Sequence, residues 1–294
     1  MNFDPRTLPL SQQPARNITI RAGQRDFYRT QFASYGLNFD LLPNYPDEFV
    51  NPRSQVTSIG VEREVLRGLF AGADFVHQHW THLDRSVDLN APTPFDRTAP
   101  GQTRSVNAAS ARRPIVPVNG GVRSVNVWMN LGVANYDGLQ THITYRGNAR
   151  MLAALSYTLS KATNTTEPDG NGVGPNDANI ARLAEAERGP SVVDQRHRAV
   201  ITFSYNLPYN ITTGTVTQLA SARPFSATTG LDNNGDGNNY DRPVIDGKVI
   251  GKSVFRGTGT QDVSVFLEAR LRSSGRAIVL RVEGFNLFNH ANML

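Results

Sequence analysis

Period-two alternation organises the second half of the chain. Over 150–160 the odd positions are Met151, Ala153, Leu155, Tyr157 and Leu159, against Arg150, Leu152, Ala154, Ser156, Thr158 and Ser160. Over 198–207, Ala199, Ile201, Phe203, Tyr205 and Leu207 alternate with Arg198, Val200, Thr202, Ser204 and Asn206. Over 263–272, Val263, Val265, Leu267, Ala269 and Leu271 alternate with Ser264, Phe266, Glu268, Arg270 and Arg272. Leu139, Ile143 and Tyr145 alternate with Gln140, His142, Thr144 and Arg146. Successive strand side chains point to opposite faces, so each run predicts a strand with one apolar face and one polar, partly charged face. The runs exceed the usual strand length of about 5–6 residues. They match the roughly 9–11 residues that carry a tilted strand across a bilayer.

The connections sharpen this. The runs pair as hairpins 55–80, 134–160, 197–222 and 261–287, with short turns at 66–68, 147–148, 208–210 and 273–275. Between the hairpins lie long segments, about 81–133, 161–196 and 223–260. Compact domains rarely repeat loops above about 12–15 residues. Outer-membrane barrels alternate short periplasmic turns with long extracellular loops. The pattern therefore predicts an all-β, antiparallel transmembrane β-barrel segment of about 8–10 strands, with lipid on the apolar face. The lipid-facing or girdle set is Leu155, Tyr157, Leu159, Ile201, Phe203, Tyr205, Val265 and Leu267. The lumen-facing polar set is Arg146, Arg150, Arg198, Glu268, Arg270, Arg272, Arg281 and Glu283. Residues 1–54 are poorly defined, with 17–21 and 31–39 as further possible strands. A short helix fits 180–188.

Composition agrees with a polar lumen and long loops. The chain has 294 residues, 39% hydrophobic and 9% aromatic, with 25 Gly, 17 Pro and no Cys. The absence of Cys excludes disulfides, thiolate zinc sites and a Cys nucleophile. No apolar run reaches the roughly 18 residues of a transmembrane helix. The net charge is +5, and the only Lys residues are Lys161, Lys248 and Lys252. The basic residues form no block, so no nucleic-acid partner is expected. The N-terminus has no basic region followed by an apolar one, so it is not a signal peptide. Both ends read as cuts through a longer design.

Four local motifs carry possible chemistry. Asp232, Asn234 and Asp236 stand at alternate positions before Gly237, with Asp241 following. Hard oxygen ligands at that spacing suit Ca²⁺, although Pro243 stands where an EF-hand loop has its bidentate Glu. The alternative is a polar, turn-rich extracellular loop. His77 and His79 share a strand face and could present two imidazoles to a metal, with His82 off that phase. The other reading is a strand end with Trp80 in the interfacial aromatic belt. Asp194 and His197 could be part of a Ser-His-Asp arrangement, but no G-x-S-x-G elbow accompanies them. Gly170, Gly172 and Gly174 echo a phosphate loop without its Lys-Ser/Thr, which reads as a flexible loop. No catalysis is expected, and no cofactor beyond the possible Ca²⁺.

The stretch 135–164 (NYDGLQTHITYRGNARMLAALSYTLSKATN) resembles a recurrent hairpin of TonB-dependent outer-membrane receptors. DQRHRAVITFSYNLP (194–208), ARPFSATTG (222–230), NNGDGNNYDRP (233–243), EGFNLFNHAN (283–292) and SQVTSIGVEREVLRGLFAGADFV (54–76) resemble other parts of that family. The subgroup carries an N-terminal carboxypeptidase-regulatory-like domain. The resemblance implies part of the C-terminal half of a barrel of about 22 strands. It also implies a plug domain and TonB as partners, uptake of a scarce extracellular nutrient, and residence in the outer membrane of a Gram-negative-type bacterium. Three rival readings use the same alternation. They are a soluble all-β module that binds carbohydrate, a small self-closed outer-membrane porin or adhesin, and an extracellular β-rich hydrolase.

Overall fold

The computed structural model describes residues 15–21, 25–34, 50–92, 109–119, 121–166, 187–233, 235, 237, 241–273 and 276–292. The main sheet is built from four up-and-down hairpins. These are β2 (Arg53–Leu66) with β3 (Leu69–Asp88), β4 (Val122–Asn148) with β5 (Met151–Asn164), β7 (His197–Leu207) with β8 (Ile211–Ala220), and β13 (Thr260–Ser273) with β14 (Arg276–Gly284). Neighbours in sequence are neighbours in the sheet, so the order is a plain antiparallel meander. Earlier in the chain come β1 (Arg16–Arg21) and α1 (Arg25–Ser34). The two-residue strand β6 (Gly189–Pro190) extends the sheet beside β5. Short strands β9 (Pro224–Phe225) and β12 (Phe255–Arg256) pair together, as do β10 (Val244–Ile245) and β11 (Lys248–Val249).

The turns fall close to the expected places. Residues 67–68 and 149–150 join the first two hairpins, and a 3-10 turn at Pro208–Asn210 joins the third. Tyr209 and Asn210 there have φ of 65° and 59°, a left-handed geometry that Asn tolerates.

Register shows that the alternation of each strand belongs to one surface. Ile143 faces Leu155, Leu155 faces Ile201, Ile201 faces Thr217 and Thr217 faces Val263. One pleat away, Tyr145, Ala153, Phe203, Thr215 and Val265 form the next row. Directly paired residues share a face, so the apolar positions of five strands join into one apolar face. Threonines interrupt it, and three of them turn the hydroxyl onto a neighbouring strand's carbonyl. Thr213 donates to Phe266, Thr215 to Ser264 and Thr141 to Tyr157. The face therefore carries no unsatisfied hydroxyl at these positions.

The opposite face is polar and small. One row reads Gly60, Asp74, Gln140, Thr158 and Arg198, and another reads Asn206, Thr212, Glu268 and Arg281. Large side chains here lie flat over glycines. A Cβ on Gly214 would stand 2.5 Å from the Phe266 ring, and one on Gly72 would stand 2.3 Å from His142.

β3 and β4 run far beyond the expected hairpin ends, to 20 and 27 residues. The segment 81–133, expected as a loop, is therefore partly strand. Two register shifts mark the change, between Trp80 and Leu83 and between Leu83 and Arg85. Above them the chain builds a buried core of Val87, Leu89, Ile115, Val122, Val125, Val127 and Met129, with Ile18 and Leu131 packed against it. β1 supplies Ile18 by pairing with β4 in parallel. That confirms a strand over 17–21. Of the strand expected over 31–39, residues 31–34 belong instead to α1, and 35–39 lie outside the described residues. The expected helix over 180–188 lies outside them up to 186, and Glu187 and Arg188 are not helical. Among the described residues no helix is long and apolar enough to cross a membrane.

Candidate functional site

Two constellations stand out: the charged end of the polar face, and a clasp that joins the long loops. On the polar face Arg281 reaches Glu283 at 2.5 Å and Glu268 at 3.4 Å, and its guanidinium lies 4.3 Å over the Phe266 ring. Three members of the expected lumen set thus meet in one cluster. Arg198 stands on the same face beside Thr158 and Ala220. Arg270 pairs with Val279 there, and Arg272 takes the register position opposite Ala277. Arg146 lies at the turn end of β4, where its backbone N–H donates to Gly68. Arg150 differs from expectation. It occupies the 149–150 turn and belongs to neither face, because Asn148 rather than Arg150 ends the β4 ladder.

The expected lipid set lies on the apolar face without exception. Leu155, Tyr157, Leu159, Ile201, Phe203, Tyr205, Val265 and Leu267 all occupy its register rows. Trp80, expected in an outer aromatic belt, pairs with Ala134 and Ser54 on the polar face instead.

The clasp lies at the end of the sheet opposite the short turns. Three cations from loop 221–259 reach back to the end of β5 and the segment that follows it. Arg242 makes two hydrogen bonds to Glu187, at 3.2 and 3.3 Å, with both side chains buried. Arg256 pairs with the buried carboxylate of Asp194, and Lys252 bonds Asn164. Arg85 of β3 donates to the Thr165 carbonyl at 2.7 Å. Burial pushes the Glu187 carboxyl up, and the nearby Arg242, Arg85 and Lys252 charges only partly oppose it. These partners are 55 to 88 residues apart in sequence, so no local motif marks them.

The other motifs resolve into structural contacts. Asp194 also accepts from the Ala162 N–H at 2.7 Å, while His197 shares a 2.7 Å hydrogen bond with the Tyr157 hydroxyl. His77 bonds Asp137 at 2.7 Å, and His79 bonds Asn135 at 2.6 Å. His82 sits in the β3 bulge with φ of 60°. Asp232 accepts from the Gly237 N–H at 3.2 Å, and Asp241 accepts from the Asn233 N–H. Asn234 and Asp236 lie outside the described residues, as do Gly170, Gly172 and Gly174. Among the described residues no three His, Asp or Glu side chains gather as a metal site.

A meander with one continuous apolar face, one polar face, short turns at one end and long loops at the other is the sheet of an outer-membrane β-barrel. Residues 9–258 match the model of the outer membrane beta barrel domain, and the chain belongs to that family. It is a protein of the cell outer membrane. The fold is similar to that of the outer membrane transporter YddB from Escherichia coli, with a TM-score of 0.56 and 7% identity. That likeness covers 83% of this chain and 30% of the transporter, so the chain spans under a third of that protein's length. The ferric enterobactin receptor PfeA of Pseudomonas aeruginosa matches with a TM-score of 0.49 and 12% identity, over 84% of this chain and 27% of the receptor. No curated protein matches.

Proposed function

We propose that this chain forms part of the barrel of a TonB-dependent receptor, of the subgroup with an N-terminal carboxypeptidase-regulatory-like domain. In the whole receptor the barrel surrounds a plug and takes up a scarce nutrient on energy relayed through TonB. The observation that carries the reading is the two-faced sheet. Its apolar rows run through Leu155, Ile201 and Val265 and suit lipid, whereas its other face holds the Arg281, Glu268 and Glu283 cluster. A charged face of this kind needs water or a protein partner, which a lumen with a plug supplies. The long loops clasped by Arg242, Lys252 and Arg256 form the surface open to an external ligand. No catalytic step is assigned. We read Asp232 and Asp241 as carboxylates that hold the backbone rather than Ca²⁺ ligands, because each accepts from a backbone N–H. Calorimetry of the protein with Ca²⁺ checks that; heat at micromolar ion overturns it.

The test of uptake is a growth panel on limiting iron chelates, cobalamin and oligosaccharides. Cells lacking the receptor, and cells lacking TonB, should fail on the same nutrient. Unchanged growth of the receptor-deficient strain on every nutrient, or rescue that persists without TonB, would sink the proposal.

A further inference from the structure

The apolar face ends abruptly on the loop side. In β5 it runs through Ala153, Leu155, Tyr157 and Leu159 and then meets Lys161. In β7 it runs from Tyr205 back through Phe203, Ile201 and Ala199 to His197, and in β3 from Ala73 and Phe75 to His77. A strand advances about 3.3 Å per residue, so a nine-residue run tilted by about 45° spans roughly 20 Å. That approaches the roughly 25 Å apolar band of outer-membrane barrels. The ionisable row therefore stands at the headgroup level of the outer leaflet.

At this boundary the face is hollowed. A cleft of about 480 Å³ opens over one register row, Tyr157, Ala199, Leu219 and Gln261, and is edged by His197 and Ser221. Its floor is apolar and its loop-side edge is polar. The Tyr157 and His197 rings stack with centroids 6.2 Å apart and share a 2.7 Å hydrogen bond through Nδ1. When the Tyr157 hydroxyl donates to Nδ1, the proton sits on Nε2, which becomes a donor. Lys161 stands one pleat beyond Leu159, which pairs with His197. It is exposed and makes no ion pair among the described residues. Asp137, the cross-strand partner of Lys161, is bonded by His77 at 2.7 Å. The donors at this level are the Lys161 ammonium and the His197 ring N–H, above an apolar floor.

We propose that this cleft binds a phosphate-bearing lipid of the outer leaflet. An acyl chain lies against Ala199 and Leu219, and phosphate oxygens accept from Lys161 Nζ and His197 Nε2. Charge-assisted bonds to phosphate and a hydrophobic stem are the interactions these side chains can offer together. The inference rests on the reading that the apolar face meets lipid. Four β-strands from the middle of the sheet build the cleft, so it does not depend on what pairs with either edge.

The test uses the full chain folded into detergent micelles, with native mass spectrometry counting retained phosphatidic acid and, as the phosphate-free control, diacylglycerol. Phosphatidic acid should be retained at lower concentration than diacylglycerol. The double variant Lys161→Ala/His197→Ala should need about tenfold more of it, and Lys161→Arg should restore retention. Equal retention of the two lipids, or no change in the double variant when its heat-modifiable mobility shows it folded, overturns the cleft. Competition by inorganic phosphate that leaves no lipid dependence overturns it as well. The chain has no Cys, so a bimane on Leu267→Cys separately reports contact with brominated lipid. Absence of quenching there refutes the outward reading, whereas quenching with unchanged lipid retention refutes only the cleft.

Discussion

The lower and upper halves of β4 obey different solvents. In the lower half Leu139 and Ile143 are 41% and 45% exposed, among neighbours such as Phe75 and Ile201 that are also exposed. In the upper half Val125 and Val127 are wholly buried, beside the paired strand β1 and in one core with Ile115 of the 109–119 segment. Both halves alternate, yet only the upper one closes on itself. Exposed apolar side chains at this density have no place in water, where large contiguous patches mark interaction or membrane surfaces. The upper half has a water-soluble design instead. It has an apolar core, and a fully buried Asn90 joins its layers with bonds to both backbone groups of Ile115 and to the Arg123 carbonyl. The bulges around Leu83 are where one design gives way to the other.

The sharpest way to break this comparison is a charge in each half. Val127→Asp places an uncompensated carboxylate in the upper core and should cost about 3–5 kcal/mol. Hydrogen exchange should then accelerate across 122–130 and 83–88, while the heat-modifiable mobility of the band persists. If the band melts too, the halves are one cooperative unit. In the lower half Leu267→Arg should cost about 2–4 kcal/mol in a bilayer, as lipid-facing Arg does near the midplane. The same change at Thr202, on the polar face of β7, should be tolerated. Refolding yields into vesicles measure both, and equal penalties would mean that the two faces are not lipid and lumen. Asn90→Ala is gentler. It leaves the Ile115 N–H and carbonyl without their partner, while the Arg123 carbonyl keeps Arg113, at about 1–3 kcal/mol. Faster proteolysis of the 109–119 segment should report it, with the lower hairpins unmoved.

The lower half was legible in the sequence because lipid imposes a two-residue period, and four hairpins display it directly. The turns at 67–68 and 208–210 followed from where the period breaks. The upper half was not legible. Asp88–Asn90 and Arg113–Ile115 carry no period. Their bonds run to each other and to Arg123, and the core they join takes Ile18 from β1, which pairs with a strand about 100 residues on. Trp80 was misplaced because aromatic identity says nothing of face when read without the register. The clasp was hidden for a similar reason. Asp194 drew attention as a possible triad member, but its partner is Arg256, which no local spacing announces.

The smallest expected effect lies in that clasp, and its sign is fixed by the direction of the Glu187 shift. Burial raises its carboxyl above the ordinary range, and Arg242, Arg85 and Lys252 only partly oppose this. The unfolded chain titrates Glu near ~4.3. The folded state therefore holds the proton more tightly than the unfolded state. Folding free energy from this group is fully present below the unfolded value and is lost as pH rises through the raised folded value. The clasp should loosen from mildly acid towards neutral pH. Glu187→Gln keeps an oxygen for Arg242 but has no proton to exchange, so its contribution should be flat over the same range. Limited proteolysis of loop 165–196, normalised to cleavage of an unstructured peptide at each pH, reads the difference. A wild-type loop that becomes better protected as pH rises would reverse the sign. It would mean that the three cations, not burial, govern Glu187, and that the clasp gains from its charges.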